Sequence, residues 1–350
     1  MRQIGVFTGS AHPELAREIC AHLGVELSPT SIQRFSNDCL QVQLQANCRQ
    51  RDIYLVQPLV PPVQEHLMEL LLMLDAARGA SAAQITAVIP HYAYARSDKK
   101  DQPRISIAGR LVADLLATAG ASRVLTMALH APQVHGFFAI PVDHLTAVVE
   151  LAKHFSGRDL SNTVVVSPDL GNAKPATQFA RLLGLPVAAG SKQRLADDEV
   201  RIDAIVGDVA DKNVIILDDE IANAGSIIKL LERLREHRVR RISIACTHGL
   251  FTGKAIQRLA AQGDVEEIVT TNTVPLAPEK ALPNLRVRSV APLFAEAIRR
   301  IHLGESVSSL LPGNAPDGSL NGSTGGGQGF AGGSQAYVRE HAGAEPSQGM

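Results

Sequence analysis

Short apolar runs alternate with longer stretches whose apolar residues recur every three or four positions, and this alternation organises most of the chain. Strands are expected at residues 4–7, 53–56, 85–89 and 124–127, with helices at 13–23, about 64–78 and about 106–119 between them. The pattern then begins again. Residues 164–167, 187–189, 214–217, 242–245 and 268–270 read as strands, with helices at about 173–183, 226–237 and 253–262. A short apolar helix at 292–301 closes this part, placed to pack back on the first half. Such alternation implies α/β architecture: parallel sheets with helices on both faces. Two similar α/β domains are expected, residues 1–145 and 146–311. From 312 to 350, Gly, Ser, Asn, Gln and Pro replace the apolar pattern, which predicts a disordered tail.

Composition narrows the class. With 45% apolar and 20% charged residues the chain can bury two cores, and no apolar run approaches the length of a membrane span. A cytoplasmic protein with no membrane partner is expected. A net charge of −1 and 4% aromatics without tryptophan argue against nucleic acid as a partner. The four cysteines lack metal-ligand spacing and read as free thiols.

Chemistry concentrates in the stretch from Val214 to Ser226. Four apolar residues form a buried strand, Asp218, Asp219 and Glu220 sit at its carboxyl end, and Ala222-Asn223-Ala224-Gly225-Ser226 turns into a helix. Ligands of α/β proteins bind at such ends. The first amides of the helix suit a phosphate, and Asp218 and Asp219 suit hydroxyls or a hydrated Mg²⁺. A solvated turn with an N-cap would leave the same bare pattern; the order of acids, small residues, Gly225 and Ser226 favours a phosphorylated sugar.

Further groups follow other strand ends. Arg96, Asp98, Lys99 and Lys100 make a charged run that is either a solvated loop or a grip on an anionic nucleotide. His130 and Asp169 could share one Mg²⁺ through bridging phosphates. Lys192 and Arg194, in a polar connection, read as a surface loop or as a flap that brings cations to a transferred phosphoryl group.

Taken together, Phe35-Ser36-Asn37, Tyr94 to Lys100, Leu129-His130-Ala131, Ser167-Pro168-Asp169, Asp218-Asp219, Thr247-His248-Gly249 and Thr271-Asn272-Thr273 resemble the ribose-phosphate pyrophosphokinase family. The similarity runs in register from residue 4 to Ser308. It implies two phosphoribosyltransferase-like (Rossmann-like) domains and transfer of the β,γ-diphosphate of ATP to the C1 hydroxyl of ribose 5-phosphate. The products would be 5-phosphoribosyl 1-diphosphate and AMP, and Mg²⁺ the cofactor. By the same resemblance Phe35, Asn37, Arg96 and Asp98 lie around ATP, and His130 and Asp169 near the metal. Lys192, Arg194 and His130 act in catalysis, Arg194 also facing ribose 5-phosphate. Asp218 and Asp219 hold the ribose, and Ala222, Asn223, Ala224, Gly225 and Ser226 its phosphate. Homohexamers with adenine sites between subunits are implied as well.

The chain departs from the family pattern at several positions. Cys39 stands for a glutamate, Ser97 for a glutamine, Ala128 for an aspartate before Leu-His, Asn172 and Pro175 for glycine and arginine, and Gln193 for a basic residue. Ala222-Asn223 replaces Asp-Thr, a change that a backbone-bound phosphate tolerates. Three readings follow: an active enzyme, a catalytically weak regulatory subunit of the same fold, or a phosphoribosyltransferase-like protein. Retention of Lys192, Arg194, His130 and Asp169 favours the first.

Overall fold

The computed structural model describes residues 2–194 and 200–311, so the expected tail at 312–350 lies outside the described residues. The first half runs β1 (Ile4–Thr8), α1 (Pro13–Leu23), β2 (Thr30–Arg34), β3 (Leu40–Leu44), β4 (Asp52–Val56), α2 (Val63–Gly79), β5 (Gln84–Ile89), α3 (Ala108–Ala119), β6 (Arg123–Met127) and β7 (Val142–Leu145). The second runs α4 (Val148–Phe155), β8 (Thr163–Ser167), α5 (Ala173–Leu183), β9 (Val187–Arg194), β10 (Val200–Val206), β11 (Asn213–Ile221), α6 (Gly225–Glu236), β12 (Ile242–Gly249), α7 (Ala255–Ala260), β13 (Val265–Thr271), β14 (Leu285–Arg288) and α8 (Ala291–Leu303).

The first sheet is parallel, in the order β1-β4-β5-β6-β7. Period-two alternation sends its apolar residues to opposite faces. Ile53, Leu55, Ala87 and Val124 pack under α2 and α3 through Leu70, Met73, Val112 and Leu116. Val6, Tyr54, Val56, Leu125 and Met127 meet α1 and α8 through Leu15, Ile19, Phe294 and Ile298. Thus the last helix of the described chain covers the first sheet, and Tyr54 donates its hydroxyl to the Ile298 carbonyl at 3.4 Å. The antiparallel pair β2-β3 stands apart as a two-stranded ribbon with no fully buried residue.

The second sheet has the order β10-β9-β8-β11-β12-β13-β14. Ile227, Leu230, Leu231 and Leu234 of α6 cover one face, and Leu151 and Phe155 of α4 with Phe179 of α5 cover the other. One strand corrects the all-parallel expectation. β10 runs antiparallel to β9, so Lys192, Gln193 and Arg194 lie on an extended strand paired with Ile202, Arg201 and Val200 rather than in a connection. Ladder hydrogen bonds, not an apolar stripe, define this part of the hairpin, and polar residues carry no periodicity that would reveal it.

Candidate active site

The chain leaves β8 outward to β9 and β10, then returns to place β11 on the other side of β8. This reversal is a topological switch point, where flanking loops diverge and open a crevice at the carboxyl ends of the strands. Asp169 follows β8, and Asp218 and Asp219 lie near the end of β11. The ladder between β11 and β8 stops at Ile216, whereas that between β11 and β12 continues to Ile221. The acidic residues therefore extend past β8 into the crevice.

His130, in the loop after β6 of the first sheet, reaches the same place: its Nδ1 lies 2.5 Å from Asp219 Oδ2. Burial drives the Asp219 carboxyl up, but the hydrogen bond and charge of His130, with a hydrogen bond from Asp218, outweigh it and hold Asp219 below its ordinary range. Asp218 moves the other way. Burial first, then the adjacent Asp219 and the charge of Asp169, raise it well above the carboxylate range, although the Asp219 amide donates to its Oδ1 at 2.9 Å. Two neighbouring acids are thus pushed apart in protonation, one a carboxylate and the other able to keep its proton. Asp169 acts on Asp218 through its charge, while the direct partner of His130 is Asp219.

The loop after Ser167 is tied to β11. Asn172 donates its amide N–H to Asp169 Oδ1 at 3.0 Å and its side-chain N–H to the Leu217 carbonyl at 2.9 Å. An asparagine that departs from the family pattern thereby braces Asp169 against the strand of the acid pair. In the turn before α6, Gly225 N donates to Asn223 Oδ1 at 2.9 Å, and Arg258 donates to the Asn223 carbonyl at 2.9 Å. Ala224 adopts a left-handed conformation, φ 62°, to aim the chain into the helix. Ser226 is the second residue of that helix.

Arg96 ends a short 3₁₀ turn after β5 and meets Glu220 of β11 at 3.3 Å. Glu220 is also 3.1 Å from His91 Nε2. Burial raises Glu220, but the hydrogen bond from His91 and the charge of Arg96 hold it below its ordinary value. Beside His91, at 4.9 Å between ring centroids, stands His248 on β12, opposite Glu220 in the ladder. His248 Nε2 lies 3.2 Å from both the Met127 and the Ala128 carbonyls. That position fixes an N–H on Nε2, while Nδ1 lies 2.9 Å from Thr273 Oγ1, whose hydroxyl also reaches the Thr247 carbonyl at 3.1 Å. Burial, then the neighbouring His91, pushes the imidazole of His248 down to about 4. Ala128 itself has φ 44°, a strained left-handed alanine just before Leu129-His130.

The remaining sequence candidates fall elsewhere. Asp98 accepts from the Gln133 side chain. Ser97 closes its own loop, accepting from the Ala108 amide at 2.9 Å and donating to the Ser106 carbonyl at 3.2 Å. A Cβ on Gly109 would stand 3.0 Å from the Tyr94 carbonyl and 3.1 Å from that of Ser97, so any side chain there would press α3 away from the loop. Phe35 and Asn37 occupy the tip of the β2-β3 ribbon, Phe35 half exposed, and the hydrogen bonds of that turn stay within it. Lys192 and Arg194 are placed by their backbone on β9. Sequence reasoning passed over Glu220, His91 and Asn172 as working parts. A third carboxylate directly after the acid pair was the one local signal.

Residues 4–120 match the N-terminal domain of ribose phosphate pyrophosphokinase, and 201–312 match the phosphoribosyl synthetase-associated domain. A provisionally named ribose-phosphate pyrophosphokinase of Streptomyces coelicolor is 66% identical over 89% of this chain and 98% of its own. The ribose-phosphate pyrophosphokinase of Deinococcus radiodurans is 51% identical over 87% of this chain and 97% of its own. The crystal structure of phosphoribosylpyrophosphate synthetase from Mycobacterium smegmatis superposes with a TM-score of 0.81 at 39% identity, covering 87% of this chain and all of that one. With its fold, its switch-point crevice and these relatives in agreement, the chain belongs to the ribose-phosphate pyrophosphokinase family.

Proposed function

We propose that this chain transfers the β,γ-diphosphate of ATP to the C1 hydroxyl of ribose 5-phosphate, forming 5-phosphoribosyl 1-diphosphate and AMP. The observation that carries this reading is the meeting of His130 from the first sheet with Asp219 from the second, at the switch point of the second sheet. In this reading the turn from Ala222 to Ser226 seats the 5-phosphate at the start of α6, where helix amides lack internal acceptors. Asp219, kept ionised, accepts from a ribose hydroxyl, and Asp218 orients it from the other side. Arg96 and Asp98 face the nucleotide. Lys192 and Arg194, on the hairpin, bring positive charge to the transferred group, since phosphoryl transfer depends on positioning and electrostatics.

The donor chemistry fits Mg²⁺. Such an ion keeps waters and binds substrate phosphates, so it needs few protein ligands. Nδ1 of His130 is engaged by Asp219, leaving Nε2 to meet a metal in a carboxylate–histidine–metal arrangement, and Asp169 would be the second protein ligand. When bound, the ion neutralises charge on the phosphate oxygens. Assembly into a hexamer, as the resemblance implies, would present the exposed ribbon tip with Phe35 and Asn37 to a neighbouring subunit.

Purified protein incubated with ATP, ribose 5-phosphate and Mg²⁺ is expected to release AMP, and a Lys192→Ala variant far less. No AMP above that control refutes the activity. It would favour the regulatory-subunit reading, which rests on Ala128 and Cys39 standing where the family carries carboxylates.

A further inference from the structure

The proposed reaction needs a nucleotide held by one half of the molecule to face a sugar phosphate held by the other, so something must keep the two in register. Glu220 is placed to do this. It continues the strand that carries Asp218 and Asp219, and its carboxylate leaves that strand to meet groups of the first half. Oε2 is 3.1 Å from His91 Nε2, and Oε1 is 3.3 Å from Arg96 Nη2. Glu220 is 11% exposed at its side chain and His91 4%, while Arg96 is 52% exposed, so the pair is anchored on the inside and leaves the outer edge of the guanidinium open. His91 is fixed in turn, its Nδ1 2.9 Å from the Leu59 carbonyl. Both ring nitrogens therefore face acceptors, which holds the ring between the Leu59 carbonyl and Glu220.

We propose that Glu220 is a positioning residue: it holds the Arg96 guanidinium at a set distance from the ribose-phosphate turn, so that the nucleotide-side cation and the acceptor sugar are presented together. The inference rests on the reading of Arg96 as a nucleotide contact. A free arginine side chain samples many rotamers, and a fixed carboxylate removes that freedom before substrate arrives. The contact is ionic and partly buried, whereas a half-exposed arginine facing solvent alone would gain little from a carboxylate. Glu220 does not touch the reacting atoms; it acts through Arg96.

The test is a double-mutant cycle on the full chain with wild-type turnover established first. Glu220→Gln preserves shape and removes the charge, and is expected to raise KM for ATP about tenfold, with KM for ribose 5-phosphate changed less than about twofold. In an Arg96→Ala background the same substitution should change KM for ATP less than about twofold, because the group it positions is gone. Calorimetric titration with ATP alone should show the same tenfold loss of affinity, independent of turnover. Glu220→Asp, which keeps the charge but withdraws it by one methylene, should fall between wild type and Gln, and serves in place of Gln should that variant not fold. Equal losses in both backgrounds, or a loss shared equally by the two substrates, would overturn the proposal. An inactive wild type would instead refute the proposed reaction, while unchanged ATP affinity in an active Glu220→Gln enzyme would refute only the role of Glu220.

Discussion

His248 links the two sheets, and its protonation state sets a pH dependence that can be worked out. Its Nε2–H is shared between the Met127 and Ala128 carbonyls, and the ring is buried between the sheets, where a neutral imidazole is favoured. Burial and His91 push it down to about 4, against 6.5 for an unfolded histidine. The folded pKa is the lower one, so in acid the unfolded chain takes up the proton first and stability falls. The loss begins as pH drops through about 6.5 and is complete below about 4. Its full size is about 3 kcal/mol, of which about 2 kcal/mol has gone by pH 5. His248→Gln keeps a side-chain N–H for the two carbonyls and removes the titration. Urea unfolding of wild type and variant at pH 7, 6 and 5 should therefore give converging curves. The variant is the less stable at pH 7, and the gap should narrow by about 2 kcal/mol at pH 5. Parallel curves, with a constant gap at all three pH values, would refute the claim that His248 is held neutral.

Two other substitutions test the site and the strand end beside it. Asp219→Asn removes the carboxylate that engages His130 and is expected to lower kcat on the order of 10 to 100-fold and weaken Mg²⁺-dependent thermal stabilisation; a kcat within twofold of wild type would refute its role. Ala128→Gly relieves the left-handed alanine at φ 44° and should stabilise the fold by about 1 kcal/mol, read as a melting temperature raised by about 2 °C; a lower melting temperature would show that the strain is not there.

Much of the fold was legible because burial writes itself into periodicity. The strand at the heart of the second sheet shows as four apolar residues before the acid pair, and α6 shows as Ile227, Leu230, Leu231 and Leu234 at helical spacing. The ribbon β2-β3 left no such mark, since it buries none of its side chains fully. The polar end of β9 failed to register because its sequence carries no apolar alternation; antiparallel pairing with β10 makes it a strand. At the site, Asp218 and Asp219 were readable as a local cluster. The pairing of His91 with Glu220 spans 129 positions, and no local pattern announces that two polar side chains so far apart will share a hydrogen bond. Ser97 and Asn172 look in sequence like losses from a family pattern. In three dimensions each makes hydrogen bonds that brace its own loop.

The seat of α8 has a consequence for the order in which the molecule can be made. Phe294 and Ile298 complete the packing over Tyr54, Leu125 and Met127, yet they are translated long after the first sheet is. At cellular elongation speeds the interval between residues 145 and 303 is on the order of ten seconds, during which one face of that sheet has only α1 against it. A nascent chain stalled in this interval exposes apolar surface of the kind that chaperones bind. Synthesis of α8, rather than of the first half, is the event that lets this layer close.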